Sequence, residues 1–168
     1  MIMMMCATLH AQEAEMLTTV EKVDIERYAG LWYEVAKIPN KFQKSCDRNT
    51  TAEYSVAKDG KVIVVNTCIR KNGSINVARG IAKVANETNT KLRVSFVKLL
   101  GIHLFYGDYW VIGLDPEYRW AIVGEPSRKY GWVLGRSSTL GDDDWTAIKS
   151  ILKSKGYDFN DFQMSVHN

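Results

Sequence analysis

Gly30-Leu31-Trp32-Tyr33 follows a short polar run and opens a segment of alternating side chains, and late in the chain Trp132-Val133-Leu134-Gly135-Arg136 closes another. A tryptophan at the start of a strand needs a large apolar seat and an acceptor for its indole N–H, and an arginine can lie across its face as a cation–π lid. Gly30, Trp32 and Arg136 are therefore expected to plug one end of a closed barrel, as structural residues rather than ligand contacts.

Around these two segments, short alternating runs bounded by turn residues recur, the signature of an antiparallel sandwich or barrel. They predict eight strands, over 31–38, 49–56, 61–69, 75–84, 91–97, 107–115, 119–124 and 130–136. Asp59-Gly60 between two alternating runs is a strong hairpin signal, and Pro39, Asn72-Gly73, Asp115-Pro116 and Pro126 mark further ends. Residues 23–28 read as one helical turn with Asp24 near its cap. The stretch from Asn40 to Arg48 lacks periodicity and carries Phe42, so it is expected to be a long loop across a barrel mouth. Leu99 to Phe105, apolar and including Gly101, is expected to be a lip dipping toward ligand or a membrane. Asp142-Asp143-Asp144 then opens a segment in which Trp145, Ile148, Ile151 and Leu152 recur at helical spacing, ended by Lys153, Lys155 and Gly156. The acids suit the positive end of a helix, and they lack the spaced oxygen ligands and loop glycine of a calcium loop. Residues 162–166 predict a final short strand.

The 168 residues make one domain, and 46% hydrophobic with 24% charged residues describes an ordinary globular protein. A net charge of +3, with Lys and Arg scattered over turns and strand edges, argues against a nucleic-acid partner. Met1 to Ala11 is a short apolar run ending in a small residue before Gln12-Glu13, which reads as the back half of a secretory signal peptide. The expected organisation is a leader over 1–11, a flexible segment over 12–21 and the barrel domain over 22–168. The protein is then exported, periplasmic or secreted. Attachment to an outer membrane through Cys6 is the alternative, although Met5 stands where a lipid-attachment motif wants a small side chain.

In an exported chain, Cys46 and Cys68 read as a disulfide, whose loop of about 22 residues would contribute about 3 kcal/mol. Simple register about Asp59-Gly60 leaves the two cysteines out of alignment, so Cys46 is expected on a segment folding back over the strand.

Five segments in order carry a family resemblance: Tyr28-Ala29-Gly30-Leu31-Trp32-Tyr33-Glu34-Val35-Ala36, Thr51-Ala52-Glu53-Tyr54-Ser55, Phe105-Tyr106-Gly107-Asp108-Tyr109, Leu114-Asp115-Pro116-Glu117-Tyr118-Arg119 and Trp132-Val133-Leu134-Gly135-Arg136. Over 22–166 the chain resembles the lipocalin family, in the branch of the bacterial lipocalin Blc, apolipoprotein D and the plant temperature-induced lipocalins. The resemblance implies an all-β fold: an eight-stranded antiparallel up-and-down β-barrel with a C-terminal α-helix packed on it. In that branch the aromatic positions matching Tyr106 and Trp132 line the cup, and the ligands are fatty acids and lysophospholipids. One departure is Gly107, where the second family motif usually has Thr before Asp-Tyr.

Strand parity nominates the rest of the lining. Taking Trp32 as inward puts Glu34, Ala36 and Ile38 inside with it, together with Trp132, Leu134 and Arg136, with Ala52, Tyr54 and Val56, and with Trp120 and Ile122. The expected ligand-binding residues are thus Tyr106, Trp132, Tyr54, Ala36, Ile38 and Trp120. Glu34 would be a buried carboxylate satisfied by Arg136 or backbone donors. His10, His103 and His167 have no metal-ligand spacing, so no catalytic residue, metal or cofactor is expected. The expected role is binding, storage or transport of a fatty acid or lysophospholipid for cell-envelope lipid maintenance, with each buried CH₂ contributing about 0.8 kcal/mol. Lys41, Lys44 and Arg48 could attract a head group at the rim. The alternatives are an enzyme using a pocket cysteine and a partner-binding module whose barrel is filled. Peripheral contact with a membrane and pairing as a homodimer are left open by the sequence.

Overall fold

A computed structural model describes residues 16–100 and 102–168. Eight antiparallel strands close into a barrel: β1 (Gly30–Lys37), β2 (Cys46–Val56), β3 (Val62–Arg70), β4 (Ile75–Val84), β5 (Lys91–Ser95), then β8 (Gly107–Leu114), β9 (Trp120–Gly124) and β10 (Gly131–Gly135), which pairs back onto β1. Between β5 and β8, the chain forms a separate two-stranded hairpin of β6 (Val97–Leu99) and β7 (Ile102–Leu104), where the sequence predicts a loop. The helix α1 (Ile25–Tyr28) precedes the barrel, its N-terminus capped by Asp24, and α2 (Asp142–Ser154) packs outside it. A two-residue strand β11 (Gln163–Met164) adds to β1 at Ala36 and Lys37, beyond the point where β2 has parted from β1.

Two apolar layers result. The barrel interior gathers Tyr28, Trp32, Tyr54, Val64, Val111, Val123 and Leu134, while a second layer between the barrel wall and α2 gathers Val35, Ile112, Ile122, Val133, Ile148 and Leu152. On β3 the alternation is direct, with Val62, Val64 and Cys68 buried and Ile63 exposed between them. On β9 it vanishes: Trp120, Ala121, Ile122 and Val123 are all buried, because the barrel core covers one face and α2 the other. A strand buried on both faces carries no parity signal. The expected inward set there is wrong by one residue: Ala121 and Val123 face inward, and Trp120 and Ile122 face α2.

A second correction comes from β1. Its pairing with β10 runs Glu34 to Leu134 and then Ala36 to Val133, so Val35 is an extra residue in a bulge. Beyond the bulge Ala36 and Ile38 pack in the outer layer and Lys37, opposite Trp132, takes the inward side. β2 also differs from expectation. It begins at Cys46, and two register shifts, around Asp47 and around Asn49-Thr50, change the pairing from Thr51↔Thr67 to Cys46↔Arg70. Asn49 takes a left-handed conformation, φ 52°, within one of them. These bulges bring Cys46 to a disulfide with Cys68 at a Cα–Cα distance of 5.6 Å, without a segment folding back over the strand. The mouth loop after β1 is correspondingly shorter and holds one 3-10 turn over Lys41–Gln43, capped by Asn40.

The helix α2 begins as expected from its acids, with one addition. Asp144 accepts from the indole N–H of Trp120 at 3.0 Å and pairs with Arg119 at 3.2 Å, which ties the helix start to the barrel. Of the segment expected to be flexible, Leu17 is buried in the outer layer and Val20 donates its N–H to the carbonyl of Val111 at 3.0 Å. The expected leader, Cys6 and residues 12–15 lie outside the described residues.

Candidate ligand-binding cup

The closed end is built as a plug. Trp32 is fully buried, donates its indole N–H to the carbonyl of Tyr28 at 2.8 Å, and carries the Arg136 guanidinium 3.8 Å above its ring centroid. Arg136 also donates to the carbonyls of Leu31, Arg27 and Ala29 at 2.8, 2.7 and 2.9 Å, so one side chain ties α1 to the barrel. Gly30 sits at φ 94°, and a Cβ there would lie 3.4 Å from Arg136 Nη1, which is why this corner needs glycine.

Above the plug, three phenols meet. Tyr109 shares hydrogen bonds with Tyr28 at 2.8 Å and with Tyr54 at 2.9 Å. Burial pushes the Tyr54 hydroxyl up to about 12, and burial likewise holds Tyr28 and Tyr109 far above the ordinary phenol value, so all three are neutral at physiological pH. They line a cavity of about 10 Å³ whose other walls are apolar, among them Val62, Leu92 and Val111. Higher in the barrel the inward residues Asn66, Ala78 and Trp132 are only partly buried, which marks the accessible side of the cup.

The mouth combines an aromatic shelf with a buried ion pair. Phe42 packs on Tyr130 at 5.5 Å and Tyr130 stacks on Trp132 at 6.2 Å between centroids. The Trp132 indole donates to Gln43 Oε1 at 2.9 Å, and the Gln43 amide donates to the Glu34 carboxylate. Glu34, 3% exposed, also accepts from Lys37 Nζ and from Ser165 Oγ, each at 2.8 Å. Its charge is therefore met by Lys37, Gln43 and the C-terminal segment, not by Arg136. Around this shelf the rim is apolar and exposed at Phe42, Leu99, Leu100, Ile102 and Phe105.

The Lipocalin-like domain family matches residues 23–167, nearly the whole described barrel and its helix. The chain is a lipocalin. Among its relatives, it is 34% identical to Temperature-induced lipocalin-1 of Arabidopsis thaliana, over 88% of this chain and 81% of that one. It is also 34% identical to the outer membrane lipoprotein Blc of Escherichia coli strain K12, over 87% of this chain and 80% of that one. The structure of insecticyanin from the tobacco hornworm Manduca sexta superposes with a TM-score of 0.74 at 22% identity, covering 90% of this chain and 85% of that one, and shares the fold. Family membership supports binding of small hydrophobic ligands.

In this lipocalin, the structure brings Tyr54 and Trp132 together with the interior, along with residues that the parity argument passed over: Tyr28, Tyr109, Lys37 and Gln43. Four expected lining residues fall elsewhere. Ala36, Ile38 and Trp120 face the outer layer for the reasons above, and Tyr106 shares parity with Trp110 and Ile112, which pack outside. The Tyr106 ring instead lies 4.9 Å from Lys83 Nζ, the outward neighbour of the buried Ala82. The same parity count along β8 would have nominated Tyr109. At the rim, Arg48 is paired with Asp47 at 3.0 Å and lies in β2, while Lys41 sits 5.4 Å over the Phe42 ring. The disulfide leaves no free thiol among the described residues for a pocket-cysteine enzyme. None of their helices is long and apolar enough to cross a membrane.

Proposed function

We propose that this lipocalin captures a fatty acid or lysophospholipid, stores or carries it, and does so as an exported protein in the upkeep of envelope lipids. The observation that carries the reading is an apolar barrel interior plugged at one end by Trp32 and Arg136 and bordered at the other by exposed apolar side chains. An acyl chain of about ten buried methylenes would gain about 8 kcal/mol before the entropy of binding is subtracted. Its charged head stays at the rim, near Lys41 and Lys44, because the interior cations are already engaged, Lys37 by Glu34 and Arg136 by the plug. The exposed rim residues also suit shallow contact with a lipid surface, from which a chain could pass directly into the cup.

The enclosed cavity of about 10 Å³ favours a second reading, a partner-binding module whose barrel is filled. Pockets that hold a drug-sized ligand run to roughly 300–1,000 Å³, so uptake requires mouth side chains such as Trp132 to swing aside. Native mass spectrometry of the chain purified without detergent, with lipid extraction and titration by palmitic acid and lysophosphatidylcholine, separates the two. A co-purified or added single-chain lipid, bound at least about tenfold more weakly after Trp132→Ala, supports the carrier. A barrel that takes up neither lipid supports the partner-binding module.

A further inference from the structure

The phenols of Tyr28, Tyr54 and Tyr109 hold three O–H hydrogens, and the bonds among them use two. No other acceptor meets these hydroxyls among the described residues, so one donor in the trio is left over. Tyr28 and Tyr54 are 5% and 6% exposed, and all three line the same small cavity, so that donor is held beneath the accessible cup with apolar walls around it. A buried phenol donor without an acceptor is unfavourable, and an apolar chain end arriving there would leave it so.

We propose that this tyrosine trio is a polar floor that binds an uncharged acceptor oxygen, a ketone, ester or ether, at or near the leading end of a ligand entering the cup. The proposal rests on the carrier reading and narrows it to chains oxygenated at the end remote from the head group. A carboxylate does not suit the floor: the cation beneath it, Arg136, is already engaged by the Trp32 ring and by the carbonyls of Leu31, Arg27 and Ala29, and the desolvation that disfavours the phenolates would penalise any other anion placed beside them. A neutral carbonyl accepts the one available O–H and brings no charge. The cavity, about the size of a single water, fits one oxygen atom and not a bulky head group.

The test uses the full chain, palmitic acid, and the same acid carrying a ketone on the carbon next to its terminal methyl. The two are titrated against the wild type and against the triple variant Tyr28→Phe, Tyr54→Phe, Tyr109→Phe, which removes every polar atom of the trio and so leaves none orphaned. The preference for the keto acid over palmitic acid is expected to be about tenfold or more greater in the wild type. In wild-type protein alone, the ¹³C-labelled ketone stretch is expected at the lower frequency of a hydrogen-bonded carbonyl, a readout that stands even where the triple variant fails to fold. An equal preference in both proteins, or a ketone stretch matching that in alkane, overturns the floor while leaving the carrier intact. Failure of the wild type to bind either acid overturns the carrier reading itself.

Discussion

Glu34 and Lys37 form the most buried ion pair among the described residues, a carboxylate 3% exposed against an ammonium 2.8 Å away. Removing one partner of such a pair leaves a buried charge uncompensated, whereas removing both does not. Lys37→Met is therefore expected to lower the unfolding free energy by about 3 kcal/mol, and adding Glu34→Gln to recover much of it. Urea titration checks this through the midpoint, with an unchanged slope showing that the effect lies in stability. The pairing itself was hidden from periodicity. Glu34 could be read as inward from Trp32, but Lys37, three residues on, should have faced outward, and only the bulge at Val35 turns it in.

Turns carry a different share of stability. In the β8–β9 turn, burial raises the Asp115 carboxyl, but the side-chain and backbone donors of Arg119, with the N–H of Glu117, outweigh it and hold the group below its ordinary value. In the β9–β10 turn Glu125 is lowered in the same way: burial opposes, and the Ser127 hydroxyl and the N–H groups of Ser127, Tyr130 and Lys129 prevail. Groups whose folded value is depressed stabilise the fold above the unfolded carboxyl value, about pH 4, and that contribution disappears as pH falls through the lower, folded values. Asp115→Asn is thus expected to flatten the acid limb of a stability–pH curve, measured by denaturant midpoints from pH 6 downward. A limb as steep as the wild type's would remove Asp115 from the account. Asp59-Gly60 was legible as a hairpin because both residues act locally, Gly60 at φ 79° and the Ala57–Lys61 bond closing the turn. The β6–β7 hairpin was not, since each of its strands holds only three residues, Val97–Leu99 and Ile102–Leu104, too few for alternation to declare itself.

The barrel as a unit is expected to fail in base. The folded values of Tyr28, Tyr54 and Tyr109 all lie above the unfolded phenol value, first because burial disfavours the phenolate. Stability from such groups is fully present below about pH 10 and is lost as pH rises toward the folded values. Phenolate absorbance from these three, read as the difference between the wild type and the Tyr28→Phe, Tyr54→Phe, Tyr109→Phe variant, and loss of barrel circular dichroism are therefore expected to rise together above that pH, and the variant to move the transition to higher pH. Phenolate signal from these three without unfolding would show that the interior admits hydroxide. The barrel's closure has a further dependence that no single strand encodes. β1 loses β2 above Tyr33, and the C-terminal segment fills the seam, with Ser165 donating to Val35 and Asn49 to Val166 through their N–H groups at 3.0 and 2.8 Å.

Wherever one face of a strand met water, the order of residues already contained the strand, its direction of facing and its turn, because alternation and glycine or Asx chemistry act between neighbours along the chain. The strands, their turns and the helix from Asp142 were of that kind, whereas the Trp32–Arg136 plug and the Cys46–Cys68 pair were legible from side-chain chemistry, a buried indole wanting a lid and two cysteines wanting each other. Contacts between strands decided the remainder. The α2 helix erased the alternation of β9, a one-residue bulge reversed Ala36, Lys37 and Ile38, and bulges in β2 set the distance between the cysteines. The meeting of Tyr28, Tyr54 and Tyr109 arose only when the sheet closed, since their hydroxyls come from α1, β2 and β8, and no local rule relates segments so far apart in the chain.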